Sequence, residues 1–333
     1  MLKELCNLYG GSGDEKSVRE YIIKQIENHC EYKVDNLGNI IAFKKGRKTP
    51  DKKIMFSAHT DEVSFIITDI TDDGYLKFSS VGGIDASAVL NRVVCINNSI
   101  KGVIGTKAVH QLSAEEKGVA LSYDKLFIDI GAKNRQDAEI YVQLGDYAYF
   151  SANYQELDNG NIISKAIDDR AGCMFLIELI KSDLPYDMYF AFCVQEEVGL
   201  RGSKCAAYQI DPDIAIVLEA TTAADLCGIN GSEKVCCFGK GPVVSFMDLR
   251  TVYNRELYKK TMETAKKRNI PVQTKTAVAG GNDAGAIQNS ASGAKMLGIS
   301  LATRYIHGSA SMVSSKDIND MRKLINAVIN EVL

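Results

Sequence analysis

From Lys165 onward, short apolar runs of strand character alternate with helical segments, and the chemistry-bearing residues stand directly after the runs. The runs are residues 188–194 (MYFAFCV), 214–218 (IAIVL) and 296–302 (MLGISLA). Between and around them, helical patterns cover residues 171–180, end one segment at 206–210, and form an amphipathic stretch over 257–267. A last helix begins near Ser315. Strands that are apolar throughout, separated by helices, require a largely parallel sheet covered on both faces. That alternation fixes the fold class as α/β.

The first half has a different texture. Ser12 stands three residues before Glu15, as in a capping box, and Val18, Tyr21, Ile22 and Ile26 follow at helical spacing. Residues 36–39 (NLGN) read as a turn between two short strands, and residues 53–58 (KIMFSA) as a buried strand ending at His59. From about Asp69 the runs YLKFSSVGG, VVCINNSIKGVIG, LFIDIGA and DYAYF alternate with Gly and Asn turns, with one helix around residues 135–144. The expected organisation is a catalytic α/β domain over residues 1–68 and 160–333, interrupted by a β-rich insert over 69–159. No internal repeat is present.

A chain of 333 residues with 46% hydrophobic and 24% charged residues has the material for a sizeable core and no signature of disorder. The net charge of -3 favours neither nucleic acid nor an anionic membrane surface. The N-terminus lacks the apolar core of a secretory signal, and no segment approaches the roughly 20 apolar residues that span a bilayer. The nine cysteines are odd in number and form no C-x-x-C pair, which fits a reducing cytoplasm rather than a disulfide framework.

Five elements at strand or helix ends carry metal-binding residue types. His59-Thr60-Asp61 follows KIMFSA, Asp168-Asp169-Arg170 precedes a helix, and Gln195-Glu196-Glu197 follows MYFAFCV. Glu219 follows IAIVL, and Arg304-Tyr305-Ile306-His307 follows MLGISLA. In open α/β sheets, ligands bind beyond the carboxyl ends of the strands. Zinc-like ions take imidazole nitrogen and carboxylate oxygen, and two ions sharing one carboxylate need about five protein ligands. Asp61, two residues after His59, can hold the second ring nitrogen of that histidine. Each element alone also has a structural reading: a core or surface histidine, acidic residues complementing a helix dipole, a solvated loop pair. Together, in one chain with only four histidines, they point to a metal centre.

The motifs AHTDEVSF, KAIDDRAG, VQEEVGLRGS, LEATTAAD, GGNDAGAI and TRYIHG, in this order, resemble those of the tetrahedral di-metal aminopeptidases. That glutamyl- and deblocking-aminopeptidase family also carries cellulase M and endoglucanase-like names. The resemblance spans essentially the whole chain. It implies a phosphorylase/hydrolase-like catalytic domain with a mainly parallel sheet and a β-rich dimerisation insert. It further implies two divalent ions per subunit, zinc or cobalt with manganese also possible. His59 would bind one ion, His307 the other, Asp168 would bridge them, and Glu197 and Glu219 would complete the two sites. Glu196 would be the general base and Asp61 the partner of His59. Peptides with a free N-terminus would be the substrates, and dimers would assemble into a tetrahedral dodecamer. Glu219, Ser64, Asn282 and Gly308 stand where many members have Asp, Gly, Thr and Ser; none of these changes removes a ligand.

Other readings remain open from the residues alone. A metal-dependent deacylase or carboxypeptidase would use the same ligands. A glycoside hydrolase would need two carboxylates about 5–9.5 Å apart across the scissile bond, unlike adjacent Glu196 and Glu197. A scaffold would show a missing ligand or base. Roles for His110, Asp225 and Asp283 are not readable.

Overall fold

The computed structural model describes residues 1–111, 113 and 119–333. Its strands, in chain order, are β1 (Glu31–Val34), β2 (Ile40–Lys44), β3 (Ile54–His59), β4 (Ser64–Ile70), β5 (Leu76–Val81), β6 (Val93–Ile96), β7 (Ile100–Thr106), β8 (Leu126–Asp129) and β9 (Tyr147–Phe150). There follow β10 (Gln155–Glu156), β11 (Asn161–Ser164), β12 (Met188–Cys193), β13 (Ile214–Thr222), β14 (Val243–Ser245), β15 (Gln273–Thr274), β16 (Lys295–Thr303) and β17 (Ser311–Ser314).

An eight-stranded sheet runs in the order β1-β2-β12-β3-β13-β16-β14-β15. Its four central strands, β12, β3, β13 and β16, are mutually parallel. These are the apolar runs picked out in the sequence, buried because helices cover both faces. The Lys16–Ile26, Ile167–Lys181 and Ser315–Glu331 helices pack into the large core on one side. Arg201–Ile210 and Ala284–Ile287 cover the other. The margins of the sheet depart from the parallel pattern: β1 with β2, β2 with β12 and β14 with β16 are antiparallel.

Strands β4 to β9 close into a six-stranded barrel in the order β4-β5-β8-β7-β6-β9, with its own apolar core around Phe65, Phe78 and Phe150. Closure removes the exposed strand edges that an isolated small sheet would present. The barrel begins at Ser64, so Asp69 lies inside β4 rather than ahead of it. Only residues 60–63 separate β3 of the catalytic sheet from β4 of the barrel, which places the barrel directly beside the ends of the parallel strands. The helix expected around residues 135–144 is shorter, Arg135–Glu139, capped by the Asn134 side chain.

The capping box expected from Ser12 and Glu15 does not form. The Lys16–Ile26 helix starts at Glu15 with no side-chain cap. Ser12 Oγ instead donates to Asp61 Oδ2 at 2.6 Å, and Glu15 accepts from the backbone N–H groups of Gly13 and Gln195. A buried carboxylate needs donors more than an exposed helix end does, since water can satisfy the latter.

Candidate metal centre

His59 is the last residue of β3 and is almost wholly buried. Its Nδ1 faces Asp61, 3.2 Å from the backbone oxygen and 3.4 Å from Oδ1. Its Nε2 lies 3.3 Å from Asp168 Oδ1 and 3.3 Å from Glu219 Oε1. His307 sits in the turn between β16 and β17 with φ of 60°. Its Nε2 lies 3.5 Å from Asp168 Oδ2 and 3.4 Å from Glu197 Oε2. The Gly83 backbone, just past β5, stands against the His307 ring and favours its protonated form. The two oxygens of Asp168 therefore face different histidines, each accompanied by one glutamate.

Local structure accounts for these positions. The first turn of the Ile167–Lys181 helix is irregular, with Asp168 and Asp169 at non-helical dihedrals and the peptide between them cis. Asp168 lines the cavity, while Asp169 turns inward and accepts from Gly172 N–H and His59 N–H. Glu219 lies within β13, not after it as the apolar run implied; the strand continues to Thr222. Asp61 ties the parts together. It accepts from Ser12 Oγ and from the backbone N–H groups of Glu196, at 3.0 Å, and Glu197, at 3.2 Å.

All five expected ligands converge, with Glu196 beside them, on a cavity of about 190 Å³. Asp61 stands behind His59. Three residues near the site went unassigned in the sequence reading. Asp169 forms a close group with His59 and Glu219; its neighbour Asp168 masked it, since two adjacent acids cannot be told apart by type. Ser12 was hidden by its capping-box spacing, and Gly83 carries no sequence signal at all. Of the residues with unread roles, Asp225 forms a two-bond ion pair with Arg304 at 2.8 and 2.9 Å. Asp283 is buried, and neither of its carboxylate oxygens has a hydrogen-bond partner among the described residues. His110 is exposed in the short Val109–Gln111 turn of the insert.

The electrostatics are those of acids crowded without enough countercharge. Burial pushes the Glu197 carboxyl up to about 7 and that of Glu219 up to about 8. Glu196 is raised well above the ordinary range, by burial first and then by neighbouring carboxylates. Burial alone would lower His307, but Asp168 and Glu197 lift it to about 9. The buried His59 is raised by Glu219, Asp168 and Asp61 in the same way.

The donor set fits divalent cations. Charge-assisted hydrogen bonds close to about 2.7–2.9 Å, whereas the imidazole–carboxylate distances here are 3.3–3.5 Å. Ligands each about 2.0–2.1 Å from a tetrahedral ion lie roughly 3.3 Å from one another, which matches. Glu219 Oε2 is also buried, with no hydrogen-bond partner among the described residues.

The family profile described as M42 glutamyl aminopeptidase matches residues 38–324. A chain of Acetivibrio thermocellus is 40% identical over 331 residues, covering 98% of this chain and 96% of its own. The TET aminopeptidase of the marine sediment archaeon Thaumarchaeota archaeon SCGC AB-539-E09 superposes with a TM-score of 0.94 at 34% identity, over 98% of this chain and 94% of that one. The TET1 peptidase of Pyrococcus horikoshii, which can assemble into a tetrahedron or a large octahedral shell, superposes with a TM-score of 0.85 at 34% identity, over 98% of both chains.

Proposed function

The chain belongs to the M42 glutamyl aminopeptidase family and is a metal-dependent aminopeptidase; from that premise we propose that two divalent cations, zinc or cobalt with manganese also accommodated, occupy its centre. His59, Asp168 and Glu219 would hold one, and His307, Asp168 and Glu197 the other. The observation that carries this reading is the pair of Asp168 oxygens, each turned to a different histidine. When bound, such ions polarise the scissile carbonyl and make water a nucleophile near neutral pH.

The chain's own residues supply the rest. Glu196 lines the cavity next to the ligand Glu197, and no hydrogen bond among the described residues occupies its carboxylate. It takes the proton of the attacking water and passes it to the leaving amine. Asp61 fixes the His59 ring through Nδ1 and, through the Glu196 and Glu197 N–H groups, fixes the turn that carries the base.

The substrates in this reading are peptides with a free N-terminus, trimmed one residue at a time in the cytoplasm. Nine unpaired cysteines support a reducing compartment, and no described helix is long and apolar enough to cross a membrane. The β-rich insert would mediate dimers, and the likeness to a shell-forming peptidase supports assembly of those dimers into a tetrahedral dodecamer. The test is a pair of peptides of one sequence, free and N-acetylated, incubated with the metal-loaded enzyme. The free peptide should shorten from its N-terminus while the acetylated one persists. Equal cleavage of both would replace this reading with the deacylase or carboxypeptidase one.

A further inference from the structure

Asp225 joins two chain segments that each carry a proposed ligand. β13 holds Glu219, continues to Thr222, and leads through Ala223, whose N–H donates to the Thr303 oxygen at 2.9 Å, into the loop of Asp225. β16 ends at Thr303, and the next residue, Arg304, exchanges two backbone hydrogen bonds of 3.0 Å with Met312. That exchange closes the base of the turn on which His307 stands. Arg304 Nε and Nη2 donate to the two oxygens of Asp225 at 2.8 and 2.9 Å. Phe238 completes the clasp: its N–H donates to Asp225 Oδ2 at 3.0 Å, and its ring centre lies 4.7 Å from the Arg304 guanidinium carbon. The cavity is lined by residues close to the clasp in sequence, Thr222, Val235 and Ile306 among them, and not by the pair itself.

The proposed ligands differ in what supports them. His59 pairs with Cys193, and Glu219 with Ser300, in the parallel ladder, so the sheet holds their backbones. His307 is on a turn, and both it and Tyr305 adopt φ of 60°, a region that residues other than glycine keep only where their surroundings hold them there. Ser311 Oγ, which donates to the Tyr305 oxygen at 3.1 Å, ties the turn across, and Asn153 holds the Ser309 oxygen at 2.8 Å on the far limb. Arg304 ties the near limb to a different loop. A two-bond guanidinium–carboxylate contact fixes orientation as well as distance, which a point charge does not.

We infer that the Asp225–Arg304 pair is a positioning device for the His307 half of the centre, setting the affinity for one of the two cations while the sheet secures the other. The inference rests on the two-cation reading. Asp225 orients Arg304, Arg304 fixes the turn, and the turn presents His307; neither member of the pair touches an ion or a substrate.

The experiment titrates the metal-free wild type, Asp225→Asn, Arg304→Met, Arg304→Lys and the double variant Asp225→Asn/Arg304→Met with cobalt(II), following the visible absorption of each equivalent bound. The wild type should take up two ions. Asp225→Asn and Arg304→Met should each weaken one of them by about 10–100-fold, the usual cost of removing an outer partner of a metal ligand, and leave the other unchanged. Arg304→Lys, which keeps the charge without the fork, should fall between. The double variant should bind no more weakly than Arg304→Met, because the pair acts as one unit. Adding Arg304→Met to His307→Ala should not weaken the ion that His307→Ala retains. The unchanged ion also reports that each variant is folded. Wild-type affinity for both ions in Asp225→Asn and Arg304→Met, additive losses in the double variant, or equal weakening of both ions overturns the inference and leaves the two-cation centre standing. A wild type that binds fewer than two ions overturns the two-cation reading and the inference with it.

Discussion

Glu196 and Glu197 are adjacent carboxylates with opposite surroundings. Glu197 reaches His307, whereas Glu196 lines the cavity with no partner for its carboxylate among the described residues. Replacing each by glutamine removes the charge and keeps the shape, so the two variants separate the roles. Glu196→Gln should retain its metal content and lose about 10²–10⁴-fold in kcat, the usual worth of a general base. Glu197→Gln should lose metal first and activity as a consequence. Metal analysis beside single-turnover kinetics checks both; near-normal kcat in Glu196→Gln would remove it from the role of base. At this scale the sequence was legible where chemistry and position coincide, as with His59 and the glutamate pair. It was misleading where local spacing imitates a common motif. Ser12 and Glu15 satisfy the capping-box pattern, yet the partner that claims Ser12 is Asp61, 49 positions on. Glu219 was assigned to a strand end because the apolar run stops there, but the strand's hydrogen bonds to β16 continue through it.

The elements show why some of the architecture was readable and some was not. β12, β3, β13 and β16 are flanked by strands and covered by helices, so they are apolar at nearly every position and stand out. β14 and β15 are three and two residues long and lie at the sheet margin, where no period can establish itself. The insert announced itself by its turns, yet its start was blurred: β4 begins at Ser64, immediately behind the site motif, with no linker to mark the passage. Val93 and Val103, paired across β6 and β7, are exposed on the barrel's outer face, and Ile140 and Leu144 are exposed in the segment between the Arg135–Glu139 helix and β9. Exposed apolar residues on the insert suit a subunit contact. If the barrel pairs protomers and the dimers close into a tetrahedron, light scattering on the metal-loaded protein should give a mass near twelve times 36.4 kDa. A stable monomer at micromolar concentration with full activity would contradict that assembly.

For the molecule as a whole, the crowded acids couple stability to pH in a definite direction. In the metal-free protein, folding raises Glu197 from 4.5 to about 7 and Glu219 to about 8. The folded state then binds more protons than the unfolded one between these values, so stability falls as pH rises through them. His307, lifted from 6.5 to about 9, contributes stability below the lower value and loses it on approaching the higher. Bound cations replace those protons, and their affinity grows as the ligands deprotonate. The Tm of the metal-free protein should therefore decline from pH 6 to pH 9, and the gain in Tm on adding metal should widen over the same interval. Scanning calorimetry at a series of pH values, with and without metal, measures both; a metal-induced gain that shrinks as pH rises would contradict the assignment.

The proposed ligands are dispersed along the chain, from His59 to His307, and the His307 ring stands against Gly83 at the end of the barrel. During synthesis the chain folds from its N-terminal end, domain by domain. The barrel and most of the acidic residues are therefore made long before the histidine that completes the second half of the centre. On the two-cation reading, a nascent polypeptide of this kind has no finished centre until His307 has been made and has reached the barrel, so the order in which the proposed ligands are encoded would hold back the chemistry while the rest of the fold assembles.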